Sequence, residues 1–163
     1  MPDSCPTWDL GDLYASVDDP KLQGDLKGAA SDADRLSSEW QGKLANASAE
    51  QLAAVIVEYE RVFEVLGKVQ SHAQLLFAAN TNDANIARHH QSVREVAATI
   101  NAKLLFVELE IAVLDETHLA ALLATPELAH WQPWLRRVRA MAPYQLSADM
   151  ERMLAERAPA GRG

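Results

Sequence analysis

The sequence is poor in cysteine, glycine and proline. One cysteine, Cys5, occurs among 163 residues, which excludes a disulfide within the chain and a cysteine metal site. A single cysteine is compatible with a reducing compartment, and we expect a cytoplasmic protein. The 7 glycines and 7 prolines lie mostly outside residues 48–115, so helices can be long. This composition favours an all-α fold.

Long apolar runs, a leader and an excess of positive charge are also lacking. No stretch of about 18 apolar residues occurs, so no transmembrane helix is expected. Residues 1–4 show no basic region before an apolar run, so no signal peptide is expected. The net charge of −8 argues against nucleic acid and anionic membranes as partners. We interpret the basic cluster of Arg136, Arg137 and Arg139 as a solvated helix face.

Two segments carry apolar residues at alternating spacings of four and three, and a polar turn at residues 80–83 separates them. We call these segments the first and the second arm. The seam of the first arm comprises Leu52, Ile56, Tyr59, Phe63, Leu66, Gln70, Ala73 and Phe77. The seam of the second arm comprises Ile86, His90, Val93, Ala97, Ile100, Leu104, Val107, Ile111 and Leu114. Such spacing keeps one apolar face towards a partner helix. It predicts an antiparallel helical hairpin, with arms of roughly 32 residues and 48 Å.

The segment before the hairpin predicts a further helix. Asp18 or Asp19 can cap this helix, with Pro20 at its first position, and it should end near Gly42. Residues 1–19 are expected to be extended and to pack along the bundle with Trp8 as an anchor. A flexible leader is the alternative. At the start of the first arm, Ser48 and Gln51 have the spacing of a capping box, with the arm running to about residue 79.

Shorter helices are predicted after the second arm, which should end near residue 114. One covers residues 116–124, and the next begins with Thr125 as cap and Pro126 at the first position, with a break or kink at Pro133. Pro143 should end it, and Ser147 should cap a last helix. The sequence thus predicts an elongated antiparallel helical bundle built on a long hairpin, with a helical lobe at 20–157 and a truncated or flexible tail at 158–163.

The five histidines do not form a recognisable metal motif. No His-Glu-x-x-His occurs, so the helical zinc pair of metallopeptidases is absent from this sequence. Glu127 and His130 form a single Glu-x-x-His, whereas di-iron bundles need two such pairs and two further glutamates. His72 and His90 are each nine residues from Thr81, but two histidines are too few for structural zinc. We interpret them as buried or half-buried, hydrogen-bonded histidines.

Two further polar groups have structural interpretations. Gln70, in the seam opposite His90, predicts a polar layer that sets the register of the hairpin. The acidic cluster near the end of the second arm is interpreted as a solvated face instead of acid–base machinery. It comprises Glu108, Glu110, Asp115 and Glu116. Because no Gly-rich phosphate loop or nucleophile elbow occurs either, no catalytic, cofactor-binding or metal-binding residue is predicted.

Several segments resemble those of oligoendopeptidase F-type proteins, which are zinc metallopeptidases related to thimet oligopeptidase. The similar segments, in order, are Pro6-Thr7-Trp8-Asp9-Leu10 with Asp12-Leu13-Tyr14, His72-Ala73-Gln74-Leu75-Leu76-Phe77-Ala78, Leu104-Leu105-Phe106-Val107-Glu108-Leu109-Glu110, Pro133-Trp134-Leu135, Pro143-Tyr144-Gln145-Leu146-Ser147 and Glu151-Arg152-Met153-Leu154-Ala155-Glu156. They extend over nearly the whole chain. Their common order and spacing carry the resemblance.

The resemblance implies an N-terminal helical lobe that forms one wall of a deep channel for short peptides. The zinc and its His-Glu-x-x-His helix would lie in a catalytic half, so no catalytic or metal residue is carried over to this chain. The parent would then hydrolyse oligopeptides with a zinc-bound water, whereas this chain alone should be inactive. Implied partners are the catalytic domain and short peptides, with self-association of the fragment through exposed apolar surface.

Two other functions fit the same residues. One is a stand-alone helical interaction or dimerisation module without enzymatic activity, which would use the hairpin to bind a partner or itself. The other is a metal–carboxylate bundle enzyme, which the ligand count above disfavours.

Overall fold

A computed structural model describes residues 9–144 and residue 150 of the chain. All regular elements in these residues are helical. The α-helices are α1 (Pro20–Trp40), α2 (Ala49–Ala79), α3 (Ala84–Ala112), α4 (Glu116–Leu123) and α5 (Gln132–Met141), and 3-10 helices lie at Leu44–Asn46, Pro126–Trp131 and Ala142–Tyr144. The predicted all-α bundle is confirmed.

Helices α2 and α3 form the predicted hairpin. The capping box is present, since the Ser48 hydroxyl accepts from the Gln51 amide at 3.2 Å and the Gln51 side chain accepts from the Ser48 amide at 2.9 Å. At the other side of the turn, Asp83 accepts from the first amides of α3. These caps satisfy amides that have no partner within the helix, which is why the helices begin where they do. Helix α3 ends at Ala112, two residues before the predicted end.

Helix α1 packs against both arms and completes a three-helix bundle. Its buried residues include Ala29 and Ala33, whose small side chains permit close approach. Because α1 covers one side of the hairpin, the buried face of α2 is wider than the predicted seam. Val55 and Val62 lie outside that seam and are at most 2% exposed, in the same cluster as the α1 alanines. Phe63, predicted in the seam, is 36% exposed, so its predicted burial is wrong.

Residues 9–19 lie along the N-terminal part of α1. Asp19 caps α1 by accepting from the Lys21 amide at 2.8 Å, and its other oxygen accepts from the Ala15 amide at 2.8 Å. Tyr14 is buried in a small cluster with residues of all three long helices, namely Leu22, Val69, Ala73 and Val93. Trp8, the expected anchor, lies outside the described residues. Tyr14 anchors the part of the segment that is described.

The C-terminal helices cover one end of the hairpin. Helix α5 packs on α3, and the Pro126–Trp131 3-10 helix packs on α2. The break predicted at Pro133 is present, since the helix type changes at Gln132 and Pro133 lies in the first turn of α5, where a missing N–H costs nothing. Thr125 lies at the predicted cap position directly before Pro126. Its side chain makes no capping bond, because the hydroxyl donates backwards to the Leu122 carbonyl at 2.8 Å. The cap predicted at Ser147 lies outside the described residues.

Within the described ranges, no helix is both long enough and apolar enough to cross a membrane.

Candidate functional site

A shallow cleft lies between α2 and α3, next to the turn of the hairpin. Its volume is about 380 Å³. The lining residues are Gln70, Ser71 and Gln74 of α2 and His90, Val93 and Arg94 of α3. Five of these six side chains are polar, so the cleft can bind a polar ligand. The structure thus brings Gln70 and His90 to one place, as the predicted polar layer requires, but the cleft is open to solvent.

The polar side chains of the cleft have no hydrogen-bond or ion-pair partner among the described residues. Gln70, His90 and Arg94 are half-buried, and none of the five polar side chains makes a hydrogen bond or ion pair with another residue in the described part of the chain. The ion pairs found there use other cations, on Lys21, Arg35, Arg61 and Lys103. Arg94 therefore offers a guanidinium group without an acidic partner among the described residues.

His90 is held in the cleft by an aromatic contact. Its ring stacks on Phe77 of α2, with ring centroids 4.8 Å apart and an interplanar angle of 10°. Burial lowers the pKa of His90, and the neighbouring Arg94 charge lowers this pKa further. The imidazole is therefore neutral at neutral pH, and Arg94 supplies the positive charge of the cleft.

His72 lies in different surroundings, beneath the N-terminal segment. Its side chain is 1% exposed and meets the Tyr14 ring edge-on, at 5.4 Å between ring centroids. Burial lowers the pKa of His72, while the Tyr14 backbone and Asp19 act in the opposite direction. The predicted burial is confirmed, but Nδ1 has no hydrogen-bond partner among the described residues, so the predicted bonding is wrong for that atom.

No group of three or more His, Cys, Asp or Glu side chains converges among residues 9–144 and residue 150. Glu127 and His130, the single Glu-x-x-His pair, are both exposed on the Pro126–Trp131 3-10 helix. This part of the chain therefore does not fit a zinc ion, and no zinc-dependent step follows from its residues.

The acidic cluster is structural. The Glu110 carboxylate accepts from the Gly42 amide at 2.6 Å and from the Leu44 amide at 3.1 Å, which ties the α1–α2 connection to α3. The Glu108 carboxylate accepts from the Tyr59 hydroxyl at 2.9 Å. The interpretation as a solvated face is wrong for both, since both are half-buried. No local pattern could have shown this, because both partners are distant in the sequence.

Two more residues of the acidic cluster lie at the start of α4. Asp115 caps this helix by accepting from the Thr117 amide at 2.9 Å and from the His118 amide at 3.1 Å. Glu116, in the first turn, is exposed. Asp115 therefore has a local structural role, which its position before the helix could have indicated.

The end of α5 meets the end of α3, and each of these helix ends carries one exposed apolar side chain. The Arg139 guanidinium donates to the Ala112 carbonyl, which places the two helix ends together. Near this junction Val113 is 77% exposed and Met141 is 51% exposed. Of the basic cluster, Arg136 is exposed as predicted, whereas Arg139 is half-buried and caps α3.

Residues 110–163 match the family model of the N-terminal domain of M3 peptidases, which is described as oligopeptidase F. The resemblance to oligoendopeptidase F-type proteins is confirmed. Neither the curated proteins nor the solved structures gave a significant match.

The matched residues form the C-terminal third of the chain. They include α4, α5 and the Pro126–Trp131 3-10 helix, which pack over one end of the hairpin. Three of the similar segments fall inside the match, beginning at Pro133, Pro143 and Glu151. The segments at Pro6, His72 and Leu104 begin before it, so for them the similarity is an observation from the sequence alone.

Proposed function

We propose that this chain is the N-terminal helical lobe of an oligopeptide-cleaving zinc metallopeptidase and that it shapes the substrate channel. The observation that carries the proposal is the match of residues 110–163 to the N-terminal domain of oligopeptidase F. In this proposal the zinc and the catalytic residues lie in a separate catalytic half of the parent. The chain itself contributes shape and binding surface, and the parent acts in the cytoplasm.

The geometry of the hairpin supports a role as a wall. Helix α2 has 31 residues and is therefore roughly 46 Å long, and α3 has 29 residues. Both arms pack against α1, so the hairpin is braced along much of its length. A braced surface of this length can line a channel for an extended peptide. The lobe proposed here covers residues 20–157, with residues 1–19 lying along it and residues 158–163 as a tail.

The junction of α3 and α5 supports docking on a catalytic half. Val113 and Met141 expose apolar side chains there, and both belong to the matched region. Because both residues flank this junction, we propose that they belong to one protein–protein interface. We assign this junction to the catalytic half of the parent, and the same surface would drive self-association when that half is missing.

The first experiment weighs the intact protein from its native source by mass spectrometry. A mass several times the 17.9 kDa of this chain, with a His-Glu-x-x-His sequence in the additional part, is the expected result. A natural product of 17.9 kDa without peptidase activity would contradict the proposal and favour a stand-alone interaction module.

The second experiment tests the channel. The full parent should cleave a quenched fluorescent oligopeptide of about ten residues but should not degrade a folded globular protein. Rapid degradation of the folded substrate would show that the lobe does not restrict access. An active-site variant, with the glutamate of the His-Glu-x-x-His motif changed to glutamine, serves as the control for contaminating proteases.

A further inference from the structure

We infer that the cleft around Arg94 binds the C-terminal carboxylate of a short peptide. The inference rests on the proposed function, because it names a peptide-binding site on the proposed channel wall. The cleft has about 380 Å³ of space, which is near the small end of the volumes typical of ligand sites. A dipeptide-sized group is therefore a suitable occupant.

The charge of the cleft is set by one cation. Arg94 is half-buried and has no acidic partner in the described residues, and its neighbour Glu95 accepts instead from Gln91 at 2.7 Å. A guanidinium group presents paired donors that match the two oxygens of a carboxylate. Although the whole chain carries a net charge of −8, the cleft presents a positive charge where it is partly shielded from solvent.

The remaining side chains fit a peptide better than they fit a phosphate. Gln70, Gln74 and Ser71 are neutral and carry both donors and acceptors, which peptide groups need. A phosphate dianion is usually held by several cations or by free amides at a helix N-terminus. The cleft lies along the sides of two helices, where the amides are already bonded within each helix, and it contains one guanidinium group. A monoanion matches this arrangement.

The test is an NMR titration of the 163-residue chain with three probes: N-acetyl-dialanine, its C-terminal amide and inorganic phosphate. The acid should shift resonances of residues 70–74 and 90–94, and the amide should bind at least about tenfold more weakly, since it lacks the charge. Equal binding of acid and amide, or tighter binding of phosphate than of the dipeptide, would overturn the inference.

Two variants isolate the guanidinium group. Arg94→Gln should weaken binding of N-acetyl-dialanine about tenfold. The matched control is Arg88→Gln on the same helix, where an exposed arginine that bonds Asn85 is removed with the same change in net charge. Arg88→Gln should bind N-acetyl-dialanine as tightly as the wild type does. If both variants bind equally, the recognition does not depend on Arg94 and the inference is wrong.

A second readout does not depend on any variant. Because the Arg94 charge lowers the pKa of His90, a bound carboxylate that neutralises it should raise the pKa of His90. The His90 ring resonances should therefore titrate at higher pH with saturating N-acetyl-dialanine than without it, and with the amide they should not move. An unchanged His90 titration with the acid contradicts the inference.

The two proposals fail separately. If the natural protein is several times heavier and has peptidase activity, but the dipeptide does not bind in the cleft, the proposed function stands and the inferred site is wrong. If the natural protein has a mass of 17.9 kDa and binds the dipeptide, the inferred site stands, but its role in a substrate channel is wrong.

Discussion

At the scale of single residues, the buried histidine His72 is the clearest source of pH dependence. Burial lowers its pKa below the ordinary value of 6.5, and burial also lowers the pKa of its neighbour His89. Asp19 raises the pKa of His72 and Asp18 raises the pKa of His89, whereas protonation of His90 lowers the pKa of His89. A group whose pKa is lowered by folding binds protons more readily in the unfolded chain. Stability should therefore fall as the pH drops below 6.5.

Replacing His72 by glutamine should reduce this loss of stability. The free energy of unfolding is measured by urea denaturation at several pH values between about 5.5 and about 7.5. The variants are compared by how steeply the free energy of unfolding changes with pH. The absolute free energy is not used, because His72→Gln also alters the packing against Tyr14. His130→Gln, at an exposed position, is the control and should keep the wild-type slope. If His72→Gln keeps that slope as well, the buried imidazole is not the source of the pH dependence.

At the scale of elements, Glu110 of α3 connects that helix with the segment between α1 and α2. Its carboxylate accepts from the Gly42 and Leu44 amides, so it holds the α1–α2 connection against α3. Gly42 has a φ of 82°, a conformation that suits glycine and turns the chain at this point. The carboxylate therefore fixes both the turn and its distance from α3.

The variant Glu110→Gln should destabilise the chain by about 1–2 kcal/mol, because an amide can accept only one of the two bonds and presents N–H to the other donor. Glu64→Gln is the matched control, since Glu64 is exposed on α2 and makes no bond to another described side chain. Thermal unfolding followed by circular dichroism measures the stability of each variant relative to the wild type. Equal midpoints for the two variants would show that the Glu110 contacts contribute no net stability.

At the scale of the whole molecule, the exposed Val113 and Met141 near the junction of α3 and α5 lead us to predict self-association of the chain when it is expressed alone. Val113→Glu and Met141→Glu should each shift the equilibrium towards monomer, since a charge there cannot be buried without cost. Sedimentation velocity over a range of protein concentrations measures this shift.

Val57→Glu provides the control for the same change at another apolar position. Val57 is 50% exposed on α2, outside the junction, so its substitution should leave the association unchanged. A wild-type chain that stays monomeric at high concentration would contradict the prediction. A loss of association in all three variants would place the contact surface elsewhere.

The local sequence determined the helices, the hairpin turn and most of their ends. Apolar spacing sets which residues share a helix face, and caps such as Ser48, Asp83 and Asp19 act on amides within three residues. The family resemblance was also visible from the sequence, because short segments keep their order along the chain. These properties depend on residues close together in the chain.

Only the tertiary structure decided which side chains meet across helices. The sequence shows Val55, Glu110 and Arg94 as ordinary helical residues, because their environments depend on helices that are distant in the chain. Packing of α1 buries Val55. The Gly42 amide donates to Glu110, which lies 68 positions later in the chain. The hairpin places Arg94 beside Gln70 in a cleft where no acid pairs with it among the described residues. Burial and charge at these positions are properties of the assembled bundle, which is why the candidate site could not be predicted from spacing.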